Sequence, residues 1–275
     1  MVCRKSCFAV LLLSALVQAG CQREAAPPSQ QRSPADATAA GAPAPRVELK
    51  DVMETGDGYI IGISYPSSAS NYPGLAAALI AYADEARAEL MRAVRESADD
   101  PARPGPYDLS LNFVELHASP QLVVVAADGS SYTGGAHGTP LVKRFVWLPQ
   151  QGRMLTATEL MAGSRAWPAL SAYAREQLHA ALSMRVDADE LPPAERAELV
   201  ESATTMIDDG TAPMPSNFDQ FEPVVGSDGR IQALRFVFPP YQVGPYAAGT
   251  QTVEVPAGIV LPHVAREYRA LFAGG

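Results

Sequence analysis

Between Pro73 and Ser97, apolar residues return every three or four positions. Leu75, Leu79, Ala83, Ala86, Leu90 and Val94 form one stripe, and Asp84, Glu85, Arg87 and Glu89 flank or oppose it. That spacing predicts a long amphipathic helix opened by Pro73-Gly74. Shorter apolar runs rich in β-branched and aromatic residues predict strands at 58–65, 108–117, 121–127 and 142–148. Asp128-Gly129 reads as a hairpin turn after the third of these strands, and Gln150–Gly152 as a turn after the fourth. Helical spacing returns over 167–185 and 193–208, with Pro168 and Pro193 in first turns and Gly210 where a C-terminal cap belongs. A second hairpin joins 221–225 to 231–238 across Ser227-Asp228-Gly229. A short strand at 252–255 and a final helix over 262–272 follow. The order predicts an α+β fold with antiparallel sheets, helices on one face and two small adjoining subdomains, 47–137 and 138–275, rather than alternating βαβ units.

The first 46 residues follow a different pattern. Arg4 and Lys5 precede an apolar run of about ten residues, and Ala19-Gly20 leads to Cys21. Such a run is too short to span a ~30 Å hydrocarbon core, so residues 1–20 read as a cleaved signal. Small residues before a cysteine predict lipoprotein processing with Cys21 acylated, although Gln18 stands where leucine is usual. Cleavage near Ala19 by the general signal peptidase is the alternative. Cys3 and Cys7 leave with the signal, so Cys21 becomes the one cysteine of the mature chain and no internal disulfide can form. Acyl chains at ~0.8 kcal/mol per buried methylene make a durable anchor. Gln22, in place of aspartate, favours sorting to the periplasmic face of the outer membrane. Residues 21–46, with five prolines and no leucine, isoleucine, valine or aromatic residue, read as a disordered tether. Its reach is at most roughly 75 Å at ~3.1 Å per residue.

Composition then narrows the function. The whole chain carries a net charge of −9, and loss of Arg4 and Lys5 leaves 19 basic against 30 acidic residues, a net charge near −11. That balance argues against nucleic acid and permits attraction to a basic protein. His117, His137, His179 and His263 show no metal-ligand spacing, and GxSxG, SxxK and a P-loop are all absent. His263 and Glu267 stand four apart on the predicted last helix and can share a face. No metal, cofactor or catalytic set is expected.

Two runs are unusual. Ser131–Gly138 (SYTGGAHG) places three glycines in five residues beside Tyr132, Thr133 and His137. Such a backbone serves either a binding groove, with Gly134 and Gly135 giving close approach, or a tight turn with packed side chains. Phe236–Gly249 (FVFPPYQVGPYAAG) sets Tyr241 and Tyr246 among prolines and glycines, which suits a rigid recognition loop or a packed corner. Tyr132, Thr133, Gly134, Gly135, His137, Tyr241 and Tyr246 are therefore the candidate ligand-binding residues.

The stretch YTGGAHGTP, followed by LTATEL and then by FVFPPYQVGPYAAG with VEVP, resembles the bacterial extracytoplasmic domain family of unknown function 3298. Upstream, ISYPSS with NYPGLAAALIAYADEA resembles domain of unknown function 4163, which commonly precedes it. The resemblance implies the lysozyme-receptor module of certain anti-sigma factors, also found ahead of catalytic domains in some peptidoglycan deacetylases. No deacetylase domain and no cytoplasmic sigma-binding segment is expected here, so binding in the envelope is what carries over. The expectation is a non-enzymatic lipoprotein that binds a cell-wall-directed protein such as lysozyme, or a peptidoglycan-derived glycan. A structural lipoprotein without a specific ligand, and a cell-wall hydrolase using Tyr132 and His137, remain the alternatives.

Overall fold

Nine strands make two sheets in the computed structural model, which describes residues 46–99, 105–188 and 192–275. The signal, Cys21 and the tether up to residue 45 lie outside the described residues. The six-stranded sheet runs in the order β1 (Val52–Gly56), β2 (Tyr59–Ser64), β3 (Tyr107–Ala118), β4 (Val123–Tyr132), β5 (Thr139–Leu148) and β6 (Arg153–Met154). Helix α1 (Pro73–Glu96) lies over one face, burying the predicted stripe against Ile61, Leu109, Leu111, Phe113 and Phe145. Tyr82 meets Phe113 and Phe145 edge-on there, and burial pushes its hydroxyl pKa up to about 12. Gly74 is required by packing: a Cβ there would come within 2.4 Å of the buried Trp147 ring.

The α+β class holds, and the pairing is antiparallel except at one junction. β2 and β3 pair in parallel, because α1 carries the chain back over the sheet between them. β1, which the sequence reading did not anticipate, forms a hairpin with β2 across Asp57-Gly58. The Asp128-Gly129 hairpin is corrected. Both residues sit inside β4, where Asp128 pairs with Asn112 and Val142, and Gly129 pairs with Leu111 and Leu141. Two flanking strands outweigh the local turn preference, and Gly129 is needed because a Cβ would lie 2.0 Å from the Ser110 carbonyl oxygen.

The second sheet, β7 (Phe221–Val225), β8 (Ile231–Phe238) and β9 (Gln251–Pro256), is antiparallel. Its core gathers Phe218, Phe236, Phe238, Val255 and Leu170, the last from α3 (Ala166–Ala188). The same core covers Val124, Val146 and Leu148, on the face of β4–β5 turned away from α1. β4 is therefore buried on both sides over Val123–Ala127. The expected boundary at 137/138 falls in the loop between β4 and β5, which pair along nine positions.

Between the sheets, α2 (Ala157–Leu160) opens on a capping box. Thr156 accepts from the Glu159 N–H, and Glu159 accepts from the Thr156 N–H. The Thr156 N–H and hydroxyl, both donating to the Glu159 carboxylate, lower its pKa. α4 (Pro193–Gly210) follows α3, and Gly210 ends it for a reason other than a left-handed cap: its absent Cβ makes room for the Gln242 carbonyl oxygen, which it would otherwise meet at 1.9 Å.

The predicted final helix is also corrected. After α5 (Ala257–Val260), 3₁₀ turns at Leu261–His263 and Arg266–Leu271 are separated by extended Val264. Strand-like bonding to the 160–162 segment captures this backbone: Ala265 N–H donates to Leu160 O, and Ala162 N–H donates to His263 O. Val264, Tyr268 and Phe272 are still buried, so a spacing of four produced a helical signal without one helix. His263 and Glu267 consequently lie on separate turns.

One buried ion pair ties the sheets together. Arg144 of β5 donates through Nε to Glu222 of β7 at 2.5 Å, with side chains 6% and 8% exposed. Arg235 also reaches Glu222, at 3.0 Å, and Arg144 reaches Asp128, at 3.0 Å. Removing one partner of such a pair strands a buried charge. Glu222→Ala should therefore lose ~3–5 kcal/mol of stability, read as a lower urea midpoint. Arg144→Met with Glu222→Leu should lose less than the single variant; an equal or greater loss would show that the pair is not the source.

Candidate functional site

The two unusual runs meet in space. The β4–β5 loop holds Gly134 and Gly135 at φ 99° and 97°, values open to glycine, and this turns the chain so that His137 projects from it. Tyr132 at the end of β4 donates its hydroxyl to the Gly135 carbonyl at 3.2 Å, bracing the loop. The second loop leaves β8 through Pro239-Pro240. Gln242 pins it by donating its amide to the carbonyls of Gly210 and Asn217, at 3.0 and 2.9 Å, and Val243 is buried beside it.

This anchoring places Tyr241 and Tyr246 against His137. The imidazole stacks on the Tyr246 ring with centroids 3.8 Å apart and planes 11° from parallel. Tyr241 Oη lies 2.6 Å from His137 Nε2. On the other side of the ring, Nδ1 is 3.1 Å from the Gly138 carbonyl, which can only accept. In the neutral imidazole Nδ1 therefore carries the proton, and Nε2 accepts from the Tyr241 hydroxyl. His137 is exposed and Tyr241 is 51% exposed, so the packed-corner alternative does not describe these two rings.

Tyr241 has φ 75°, the one positive value outside glycine among the described residues. A bulky side chain in the left-handed region costs ~1–2 kcal/mol, and such strain concentrates at functional sites. Here it orients the ring toward His137 while the Tyr241 N–H donates to the Gly244 carbonyl at 2.9 Å.

Beside the Tyr246 ring is a cavity of roughly 370 Å³. Its floor is the face of β4 and β5 turned away from α1: Asp128, Ser130, Pro140 and Val142. Its rim is Pro240, Tyr246, Gly249 and Thr250. Of the seven candidate residues, His137, Tyr241 and Tyr246 form one cluster, and Tyr132, Gly134 and Gly135 shape the loop that presents it. Thr133 goes elsewhere, lining a groove against α1 with Glu89, Arg92 and Glu96. Asp128 and Ser130 were missed. The alternation of polar residues at 128, 130 and 132 was the available signal, hidden by reading Asp128-Gly129 as a turn. Among the described residues no group of three histidine, cysteine or acidic side chains could hold a metal.

Because the strained tyrosine is half-exposed, Tyr241→Gly should stabilise the fold by up to ~1 kcal/mol, the left-handed penalty less the entropy glycine adds. Thermal and urea unfolding would measure it, and a loss of stability would mean that the ring contacts outweigh the strain.

Residues 160–258 match the family model described as a protein of unknown function, DUF3298. The matched segment carries Tyr241 and Tyr246; His137 lies before it. A crystal structure of a DUF3298 family member from Bacteroides fragilis is similar, with a TM-score of 0.52 and 16% identity over 82% of this chain and 96% of that one. A DUF3298 family protein from Pseudomonas aeruginosa gives a TM-score of 0.50 and 14% identity over the same shares. At these identities the likeness concerns the fold alone. Among curated proteins, none matches. The chain thus carries a DUF3298 domain at residues 160–258, within a fold similar to those of solved proteins of that family.

Proposed function

We propose that this protein is a non-enzymatic envelope lipoprotein, anchored through Cys21 at the periplasmic face of the outer membrane, that binds a cell-wall ligand at the His137–Tyr241–Tyr246 cluster. The observation that carries this reading is the cluster itself: two loops about a hundred residues apart deliver three rings to one exposed place, and one ring is held there by a strained backbone. Rigid, amphipathic rings beside a cavity of mixed polar and apolar lining suit ligand recognition. The ligand in this reading is a peptidoglycan-derived glycan, whose C–H faces pack on aromatic rings while its hydroxyls meet polar side chains. The reading also takes the region before residue 160 as the 4163-type module that its sequence resembles. In support, the similar solved structures cover 82% of this chain, well beyond the matched segment.

Net charge favours a second ligand, a strongly basic cell-wall-directed protein such as lysozyme. About −11 on the mature chain would speed encounter with a cation at low salt.

Calorimetric titration with muropeptides and with lysozyme separates these ligands. The expected result is saturable muropeptide binding that Tyr246→Ala weakens at least tenfold without lowering the melting temperature. Absence of saturable binding to either ligand would overturn the binding function. The anchor has its own measurement: cells fed labelled palmitate should label the wild-type chain and not Cys21→Ser, and equal labelling of the two would remove Cys21 as the lipid site.

A further inference from the structure

The cavity beside Tyr246 is floored by β4 and β5, and the strand register shows what continues that face of the sheet. Ser130 of β4 pairs with Ser110 of β3, and Ser110 pairs with Gly62 of β2. The adjacent row runs from Asp128 to Asn112 to Ser64. Paired positions share a sheet face, and the intervening residues, Ile61, Leu109 and Leu111, are buried under α1. The side chains of both rows therefore stand on the face turned away from α1. Farther along β4 and β5 that face is buried by the second core, through Val124 and Val146. At the β3 positions of these two rows the face is open: Ser110 and Asn112 are exposed. The Ser64 hydroxyl lies 2.5 Å from Asn112 Oδ1, which orients the amide.

The result is a floor of small hydroxyl and amide side chains, bounded at one end by Tyr246 and its cavity and at the other by Met53, which pairs with Gly62 and is 85% exposed. From β5 to β2 is three strand spacings, about 14 Å at ~4.8 Å each, room for about three pyranose rings in line. The two rows present one carboxylate, Asp128, and no basic side chain. The nearby Arg144 guanidinium is buried and bonded to Glu222 and Asp128. Such a surface offers an acidic group no cationic partner. It also lacks the acidic cluster that a strongly basic protein needs, but it matches an uncharged polyhydroxylated chain.

The geometry points to an extended glycan trough: a linear, uncharged oligosaccharide of N-acetylated amino sugars places one ring at the His137–Tyr241–Tyr246 cluster and about two more across Ser130, Ser110 and Gly62. This rests on the binding function proposed above and specifies its ligand by charge and length.

The test titrates the protein with N-acetylglucosamine and with its β-1,4-linked dimer and trimer, alongside lysozyme. Affinity should rise at least tenfold from monomer to trimer. Ser110→Tyr, a change at an exposed position, should collapse the trimer-to-monomer affinity ratio toward one while leaving the melting temperature unchanged. Equal affinity at every length, or a ratio untouched by Ser110→Tyr, would overturn the trough and leave the ring cluster as the whole site. Saturable binding of lysozyme with no saccharide binding would overturn the glycan occupant but not the binding function. No binding of any of these, or of muropeptides, would overturn both.

Discussion

The Arg144–Glu222 pair is the constraint on which the arrangement of this protein depends. A guanidinium and a carboxylate, each more than nine-tenths buried, join a strand of the first sheet to a strand of the second. Neither charge is left with a single partner. Arg144 also donates to Asp128 and to the Ala127 and Lys143 carbonyls, and its N–H donates to the Gln220 side chain. Glu222 also accepts from Arg235, which is shared with Glu254 of β9, and those carboxylates hold the Arg235 pKa above the ordinary arginine value. Buried charge is tolerated only where such bonding is nearly complete, and geometry that meets this condition admits few alternative placements of the two sheets. Register provides it: Glu222, Arg235 and Glu254 are direct neighbours across β7, β8 and β9.

The candidate site inherits that placement. Tyr241 and Tyr246 belong to the loop that follows β8, while His137 belongs to the loop between β4 and β5. The ion pair joins β5 to the β7–β8 hairpin, so it helps fix the distance between the two loops. Gly210 and Gln242 complete the attachment. A helix end without a Cβ lets the loop backbone in, and the Gln242 amide bonds to the carbonyls on either side. The strain at Tyr241 is sustainable because the loop is held at Pro239, Gln242 and buried Val243. Asp128 links the two systems, bonding Arg144 while forming part of the cavity floor.

Much of this order was legible in the sequence, for identifiable reasons. Helix α1 has a complete apolar stripe, and β7 and β8 are apolar runs separated by an Asp-Gly turn, so local pattern and tertiary burial agree. The misread segments are those where two signals conflict. Asp128-Gly129 has turn chemistry, yet strands on both sides claim its backbone. Residues 262–272 have helical spacing, yet backbone bonding to the 160–162 segment pulls Val264 out of a helix. β1 was overlooked although Asp57-Gly58 gave its hairpin, because five residues with Met53 facing outward leave a weak pattern.

Taken alone, the sequence determined most of the elements and marked the candidate rings. Periodicity records which side of an element must leave water, and a glycine- or proline-rich run records an unusual backbone; both are local properties. It also marked Tyr132, His137, Tyr241 and Tyr246 as belonging to two such runs. Only the tertiary structure decided that these runs touch, that Thr133 faces another groove, that β2 and β3 run parallel, and that Asp128 and Ser130 form a floor rather than a turn. Those outcomes depend on pairing and charge burial between residues as far apart as Arg144 and Glu222, or His137 and Tyr241. Contacts across such separations leave no periodic trace in the chain, because each partner taken alone is an ordinary polar residue on an ordinary strand or loop.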